Sequence, residues 1–337
     1  MSGARPLLVV STGCPAGIGP EVSVAAAAQL RGAAVVLLGD ENTLRAAAEL
    51  RRVPQRQLVL WDGRSRDASK IHLAQVGEPL ALRDRVPGKP NARAGRAQLE
   101  YIEAGFTLVK SSARAALVTA PVSKAVIARS GAPAARRFLG HTEWLQDLDG
   151  AKSSVMCFFC ERLATSLVTT HLPLGKVPRA ISAAGVALAT TELARLLQQL
   201  GKKRPKLAVA SLNPHAGEGE LLGAEEARAI GPGIQRAQKA LGKDALVAGP
   251  VGAETAYRKA QAGGYDGVVA MYHDQATIPM KLLAFGDAVN VMAGLSIVRT
   301  SVDHGTAYDI AWRGRADASG MLAALKLAVR LVAGKRA

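Results

Sequence analysis

Short apolar strands alternate with helical segments along most of this chain, and this alternation constrains the fold more than any other feature. Strands are predicted at Ala34 to Leu38 and Ala115 to Thr119, and helices at Glu41 to Arg52 and from about Ala92 to Ser111. Such a chain buries its strands between layers of helices, in a mostly parallel or mixed sheet. The sequence therefore predicts an α/β fold.

Length and composition fit this fold. The chain has 337 residues, which suggests two domains at the usual domain size. Apolar residues make up 49% and aromatic residues only 4%, which is typical of helices packed closely on a sheet.

The net charge is strongly positive and favours anionic partners. There are 43 Lys and Arg residues against 27 Asp and Glu, for a net charge of +16. Nucleic acid is one candidate, but the few aromatic residues and the absence of helix-turn-helix, zinc-finger or RNA-recognition patterns argue against it. No signal peptide or apolar segment of about 20 residues is found, so we expect a cytoplasmic protein without membrane contact.

Cys157 and Cys160 have the spacing of a redox or zinc motif. They lie in a predicted strand, however, where residues three apart point to opposite faces of the sheet. We therefore interpret both cysteines as buried packing residues.

The stretch from Gly267 to Gly314 concentrates polar side chains beside apolar runs. Buried polar groups are unfavourable unless they are paired, so such a concentration indicates either a functional site or a set of satisfied loop residues. The residues concerned are His273, Asp274, Gln275, Lys281, Asn290, Arg299, Asp303 and His304.

Three of the six histidines stand shortly after the ends of predicted strands. Ligand sites of α/β sheets lie beyond the carboxyl ends of the strands, so three imidazoles there could converge on one divalent cation. Each histidine taken singly is better explained by a structural role, but the shared strand-end position supports a joint metal site equally well, and both interpretations stay open. The three are His171, His215 and His273.

Further candidates are an acid/base or anion-binding histidine and a set of donors. His141 and Thr142 lie between Gly140 and Glu143, where helix capping is the alternative. Lys281, Asn290 and Arg299 suit a carboxylate or phosphate, with surface solvation as the alternative. His72, in a short apolar run, is expected to be structural.

Motifs along the whole chain resemble those of one family, the 4-hydroxythreonine-4-phosphate dehydrogenases, or PdxA. They run in the family's order from residue 15 to residue 311. The motifs are PAGIGPE from Pro15, GHTE from Gly140, TTHLPL from Thr169, LNPHAGEG from Leu212, YHDQ from Tyr272 and RTSVDHGTAYDIA from Arg299.

The resemblance implies an isocitrate/isopropylmalate-dehydrogenase-like fold. Its two lobes, each with α/β/α layers, would enclose the active-site cleft. One lobe would comprise residues 1–125 and about 305–337. The other, about 126–304, would carry the metal ligands and the interface of a homodimer.

The resemblance also implies roles for individual residues. His171, His215 and His273 would hold one divalent metal ion (zinc, magnesium or cobalt), with ligands from both subunits, and would act in catalysis through that metal. Phosphorylated substrate would contact His141, Thr142, Lys281, Asn290 and Arg299. NAD or NADP would contact Gly294, Asp303, His304 and Gly305.

The implied reaction belongs to pyridoxal 5′-phosphate (vitamin B6) biosynthesis. 4-Phosphooxy-L-threonine would be oxidised to 2-amino-3-oxo-4-phosphooxybutanoate, which then loses carbon dioxide to give 3-amino-2-oxopropyl phosphate. One alternative is a related dehydrogenase of erythronate or threonate 4-phosphate, or of a cis-dihydrodiol carboxylate. A remoter one is a non-catalytic anion- or nucleic-acid-binding protein.

The sequence departs from the family pattern at four positions. Cys14 stands where a carboxylate is common, and Ala276 follows YHDQ where glycine is usual. Glu254 replaces an aspartate, and Trp312 lies where a small residue is typical. None of these departures removes a proposed metal or substrate residue.

Overall fold

A computed structural model describes residues 5–334 of the chain. Its strands are short and almost all buried, as the apolar runs predict. In chain order they are β1 (Leu7–Ser11), β2 (Ala34–Gly39), β3 (Leu58–Leu60), β4 (Ile71–Gln75), β5 (Ala115–Thr119), β6 (Val155–Cys160), β7 (Leu163–Leu167), β8 (Lys206–Ala210), β9 (Leu246–Val251), β10 (Gly267–Ala270), β11 (Val289–Ala293) and β12 (Val298–Val302).

Helices separate most of these strands, so the predicted α/β class is confirmed. In chain order they are α1 (Gly19–Gln29), α2 (Glu41–Leu50), α3 (Ala92–Lys110), α4 (Lys124–Ala128), α5 (His141–Asp149), α6 (Val177–Ala180), α7 (Ala183–Gln199), α8 (Gly231–Leu241), α9 (Ala253–Gln261), α10 (His273–Ala284) and α11 (Ser319–Gly334). A π-helical turn, Glu226–Ile230, precedes α8.

Several helices begin where a polar side chain caps them. Asp40 accepts a hydrogen bond from the backbone nitrogen of Thr43 at 2.8 Å, at the start of α2. Asn91 caps α3 in the same way, through the nitrogen of Ala94 at 3.0 Å. Such caps satisfy backbone donors that have no partner inside the helix, which explains why the helices begin at these residues.

The chain divides into two compact units. Unit 1 comprises the described residues up to Lys152 and from Leu295 onwards, and unit 2 is Ser153–Gly294. The resemblance placed these boundaries near residues 125 and 305 instead. The difference has a local cause. Helix α5 packs against α3, and β12 pairs with β5, which brings residues 141–149 and 298–302 into unit 1.

Unit 1 contains a parallel sheet in the order β3-β4-β2-β1-β5-β12. Its carboxyl-terminal strand ends therefore lie at one edge. Residue Arg299 of β12 is in register with Leu117 of β5. The sheet core is formed by buried aliphatic residues such as Val9, Val36 and Leu117, each fully inaccessible to solvent.

Unit 2 contains a mixed sheet in the order β11-β6-β7-β10-β8-β9. Strands β6 and β7 form an antiparallel hairpin, whereas β7, β10, β8 and β9 run parallel. The carboxyl ends of β7, β10 and β8 are consequently neighbours. These three strands are the ones that the three candidate histidines follow.

The structure also tests the smaller predictions. Cys157 and Cys160 are free and buried in β6, which confirms their packing role. His72 is 2% exposed in β4, a strand that the sequence pattern did not assign, and its Nε2 lies 3.0 Å from the Asp67 carbonyl oxygen. No single described helix has the length and hydropathy of a membrane span; the bent pair 174–180 and 183–199 meets those criteria only jointly.

Candidate active site

Side-chain hydrogen bonds tie the three neighbouring strand ends of unit 2 together. The Thr169 hydroxyl, after β7, donates to the Met271 carbonyl oxygen at 2.7 Å. Gln275 accepts from the Met271 nitrogen at 2.6 Å and donates to the Ser211 carbonyl oxygen, after β8, at 2.8 Å. The segments that carry His171, His215 and His273 are thereby anchored to one sheet edge.

The structure brings two of these histidines together. The ring centroids of His171 and His273 are 5.4 Å apart. His273 Nδ1 lies 2.7 Å from an Asp274 carboxylate oxygen, so Nε2 is the nitrogen that faces other partners. A carboxylate on one ring nitrogen is the usual companion of a metal-binding imidazole. Among residues 5–334, however, no group of three His, Cys, Asp or Glu side chains is arranged to hold a metal ion.

His215 lies on an exposed loop that a buried carboxylate holds in place. Glu226 accepts hydrogen bonds from the backbone nitrogens of Leu212 and Asn213 at 2.9 and 2.8 Å, and from the Asn213 amide at 2.9 Å. His215 itself has a φ of 51°, in the left-handed region that a residue with a Cβ rarely occupies. Such strain is retained where the surroundings enforce it, and it often marks a functional position.

Unit 1 contains a buried positive charge without a carboxylate partner. Arg299 is only 3% exposed, and its Nη2 donates to the Thr119 hydroxyl at 2.6 Å. Its Nε has no hydrogen-bond partner in the part of the chain that the structure describes, nor does any described carboxylate form an ion pair with it. Burial lowers the pKa of the guanidinium to about 10, so it remains charged at neutral pH.

His141 begins helix α5 beside this charge. Burial, and then the positive charges of Arg299 and Lys124, lower the pKa of His141 well below its usual value. The ring is therefore neutral at physiological pH, and its buried Nε2 has no partner within residues 5–334. A neutral imidazole with an open nitrogen can exchange a hydrogen bond with a ligand.

The remaining substrate candidates fall in both units. Thr142 is half-buried in the first turn of α5, in unit 1. In unit 2, Asn290 is half-buried in β11 with an inaccessible Oδ1 that has no hydrogen-bond partner in the described chain. Lys281 is exposed on α10. Asn290 thus presents an unsatisfied acceptor, as expected of a residue that awaits a ligand.

The cofactor candidates lie in loops, where all but the half-buried Asp303 are exposed. Asp303, His304 and Gly305 follow β12 in unit 1, and Gly294 ends unit 2 with a φ of 90°. A side chain at Gly305 would meet no atom within 4 Å, so the backbone there is accessible to a ligand.

The PAGIGPE motif covers the end of the turn between β1 and α1 and the first residues of α1, and one of its glycines has a packing role. A Cβ at Gly19 would clash with the carbonyl oxygen of Thr12, so close contact between helix and strand requires glycine there. The Ile18 nitrogen donates to the Thr306 carbonyl oxygen at 3.1 Å. Trp312, one of the departures, donates through Nε1 to the Pro15 carbonyl oxygen at 3.0 Å and thus also fastens this turn.

The other departures are also accommodated. Cys14 is buried with its sulfur 3.4 Å from the Tyr308 hydroxyl, and Ala276 is a buried core residue of α10. Glu254 pairs with Arg258 one turn later in α9, at 2.8 Å. These contacts involve none of the candidate metal or substrate residues.

Sequence reasoning missed Lys124, Thr119 and the clamp formed by Gln275. Thr119 is the last residue of β5, and Lys124 follows five residues later as the first residue of α4, so both stand near a strand end, as the three histidines do. That signal was available in the segment Thr119-Ala-Pro-Val-Ser-Lys124. The hydrogen bond from Arg299 to Thr119 could not be predicted from the sequence, because it depends on the pairing of β5 with β12.

Comparison with known proteins identifies the family. The family model described as pyridoxal phosphate biosynthetic protein PdxA matches residues 31–328. This chain belongs to the PdxA family. It is 38% identical to the 4-hydroxythreonine-4-phosphate dehydrogenase of Geobacter metallireducens, covering 98% of this chain and 97% of that protein. It is 37% identical to the D-threonate 4-phosphate dehydrogenase of Pectobacterium atrosepticum, covering 96% and 99%.

Solved structures of PdxA relatives share the fold. The crystal structure of 4-hydroxythreonine-4-phosphate dehydrogenase from Klebsiella pneumoniae has a TM-score of 0.85 at 36% identity, covering 98% of this chain and 99% of that one. A terephthalate 1,2-cis-dihydrodiol dehydrogenase from Burkholderia xenovorans has a TM-score of 0.69 at 27% identity, covering 96% and 98%. The fold therefore accommodates different hydroxylated substrates.

Proposed function

We propose that this chain is a nicotinamide-dependent dehydrogenase that oxidises 4-hydroxythreonine 4-phosphate in pyridoxal phosphate biosynthesis. The observation that carries the proposal is Arg299, which is buried beside neutral His141, forms no ion pair with a carboxylate of residues 5–334 and has an Nε without a hydrogen-bond partner there. A protein keeps a buried charge only where a partner compensates it, and the compensating partner here is an anionic substrate. The relatives named above that bear this activity cover nearly the whole chain.

The reaction suits the residues of unit 1. Oxidation of the substrate's secondary alcohol to a ketone sends a hydride to the nicotinamide of NAD or NADP and releases a proton. The new ketone is β to the carboxylate, so carbon dioxide can leave while the electrons remain on the ketone oxygen as an enolate. Arg299 would hold an anionic group of the substrate, and His141 would hydrogen-bond to it without adding a charge.

The imidazoles of unit 2 suit a divalent metal ion. His171 and His273 lie side by side, and Asp274 orients His273 as it would a ligand. Neutral imidazole is a ligand for zinc and cobalt, and oxygen ligands of a substrate would suit magnesium as well. A bound cation would supply Lewis-acid stabilisation of the negative charge that develops on the substrate oxygen. We propose His171, His215 and His273 as its ligands.

We further propose a homodimer in which each metal site receives ligands from both copies. Unit 2 presents an exposed apolar stripe on and just after α10, formed by Ile278, Leu282 and Phe285, which are 58%, 82% and 88% exposed. Their spacing places them on one face of the helix that begins with His273. A second copy of the chain that covers this apolar stripe would therefore lie close to the proposed metal ligand His273.

Measurement of NAD(P)H formation tests the proposed reaction. The purified full chain, supplied with divalent metal, should reduce NAD or NADP with 4-hydroxythreonine 4-phosphate and release carbon dioxide in equal amount. Turnover of this substrate no faster than of unphosphorylated 4-hydroxythreonine would contradict the proposal.

D-Threonate 4-phosphate is the second candidate substrate. The observation that favours it is the relative that acts on it, which is as similar in identity as those that act on 4-hydroxythreonine 4-phosphate. The two substrates share the phosphate, the oxidised hydroxyl and the carboxylate, and differ in the group on C2. A comparison of kcat/KM for the two compounds decides between them.

A further inference from the structure

Lys124 lies at the amino-terminal end of helix α5, although it belongs to α4. A Cβ built on Gly140, the residue before α5, would lie 3.1 Å from the Lys124 Nζ. The ammonium group is therefore next to the first backbone nitrogens of α5. Gly140 has no side chain to cap these nitrogens, and the structure records no side-chain cap there.

The backbone before Lys124 is held firmly in place. The Ser123 nitrogen donates to the buried Gln98 side chain at 2.8 Å, and the Ser123 hydroxyl caps α4 through the Val126 nitrogen at 3.4 Å. Gln98 is fully inaccessible in α3. The start of the Lys124 side chain is thus set by the core of unit 1.

Three sources of positive potential act on His141, the first residue of α5. They are the Lys124 ammonium, the buried Arg299 guanidinium and the amino end of α5, and both cations act on His141. A glutamate, Glu143, has its Oε2 2.7 Å from the same Cβ position on Gly140. Even so, no carboxylate within residues 5–334 forms an ion pair with Lys124 or Arg299. The nearby Glu143 carboxylate offsets part of this positive potential, and a bound anion would offset more of it.

We propose that Lys124 is a further substrate-binding residue, which holds the phosphate monoester of the substrate together with the amino end of α5 and Arg299. A helix amino terminus with an ammonium and a guanidinium supplies the donors that a phosphate dianion accepts. The identity of the whole substrate rests on the proposed function, whereas the phosphate site itself does not.

Lys124 then contributes to substrate selection. A substrate with a phosphate gains the contact with the ammonium group, and an otherwise identical hydroxy acid without phosphate does not. Loss of the ammonium should therefore weaken binding of the phosphorylated compound and leave binding of its unphosphorylated counterpart nearly unchanged.

Thermal unfolding in the presence of inorganic phosphate tests the site without any turnover. We expect phosphate to raise the Tm of the wild type, of Lys124→Arg and of the control Lys326→Met, but to raise the Tm of Lys124→Met by less than half as much. Lys326 is exposed on α11, so its substitution matches the change in charge at another place in unit 1. An equal shift in Lys124→Met, or no shift in the wild type, overturns the proposal.

Kinetics separate this inference from the proposed function. Lys124→Met should raise KM for 4-hydroxythreonine 4-phosphate about 10-fold and change kcat much less, with rescue by Lys124→Arg. A KM unchanged by Lys124→Met overturns the inference and leaves the dehydrogenase assignment standing. Lys124-dependent stabilisation by phosphate in a protein that reduces no nicotinamide would retain the phosphate site and reject the dehydrogenase.

Discussion

The main candidate residues of unit 1 and unit 2 differ in burial and in the elements that carry them. In unit 1, Arg299 is buried within a strand, and His141 begins a helix packed on the same unit. In unit 2, His171 and His215 lie exposed on segments that follow strands. The buried group is fixed before any ligand arrives, whereas the exposed imidazoles are positioned only by their loops. We infer that unit 1 recognises the anion and that unit 2 depends on metal and a second copy.

The largest effect is expected at the imidazoles. His273→Ala should lose bound metal and lower kcat/KM by about 10³-fold, the equivalent of roughly 4 kcal/mol of transition-state stabilisation. Metal content by elemental analysis and steady-state kinetics measure both. Asp274→Asn, which keeps His273 but weakens its carboxylate contact, should cost only about 10- to 100-fold. Full metal content and activity in His273→Ala would refute the role of unit 2.

The apolar stripe on α10 is expected to have the next largest effect. Leu282→Asp should convert dimers into monomers and lower activity about 10²-fold, because a charge disfavours burial of the stripe and the metal site then loses its second copy. Sedimentation velocity reports the assembly state. Leu82→Asp is the matched control, since Leu82 in unit 1 is 77% exposed and Leu282 82%. Dimers that persist in Leu282→Asp, or dissociate equally in Leu82→Asp, would argue against this interface.

Arg299 should show opposite effects on binding and on stability. Arg299→Met should raise KM for the phosphorylated substrate about 10²-fold, because it removes a charged contact. The same change should raise the free energy of unfolding by about 1 kcal/mol, because it removes a buried charge without a carboxylate partner.

The control for Arg299→Met is the same substitution at Arg51, an arginine whose guanidinium contacts a carboxylate and two carbonyl oxygens. Arg51 lies 3.6 Å from the buried Glu21 carboxylate and donates to two carbonyl oxygens, so Arg51→Met should destabilise by about 1–3 kcal/mol. Chemical denaturation measures the change in the free energy of unfolding of both variants, which we expect to be an increase for Arg299→Met and a decrease for Arg51→Met. A destabilised Arg299→Met would mean that the guanidinium is compensated within the free protein.

The smallest effect concerns pH. His141 has a depressed pKa in the folded chain, caused first by burial, whereas an unfolded histidine binds a proton below about pH 6.5. The unfolded state therefore gains protons first as pH falls, and the free energy of unfolding decreases by up to about 1.4 kcal/mol per pH unit below about 6.5. Denaturation at several pH values should show this slope in the wild type and a shallower one in His141→Gln. Equal slopes would place His141 in contact with solvent.

The sequence predicted the fold well because periodicity reports burial directly. The strand Ala115–Thr119 was predicted with its observed bounds, and all five of its residues are buried. The strand β4 and the helix α5 were not assigned. β4 carries a histidine and a glutamine, and α5 begins after a glycine without a capping side chain, so neither has the usual local signals.

For the candidate site, the sequence identified residue types and strand-end positions but not which groups are unsatisfied. His171, His215 and His273 stood out because each follows an apolar run. The burial of Arg299 without a carboxylate partner in the described chain could not be predicted, since it depends on the neighbouring strand β5, which offers the Thr119 hydroxyl. The position of the Lys124 ammonium group at the start of α5 likewise could not be predicted, because it results from the packing of α4 near Gly140.

The rate of NAD(P)H formation before and after removal of metal tests the central claim most directly. The wild-type chain should reduce nicotinamide with 4-hydroxythreonine 4-phosphate, lose this activity on exhaustive chelation, and regain it when zinc, cobalt or magnesium is restored. The chelated protein should still be stabilised by inorganic phosphate, because unit 1 keeps its cations. Undiminished NAD(P)H formation by metal-free protein would contradict the account.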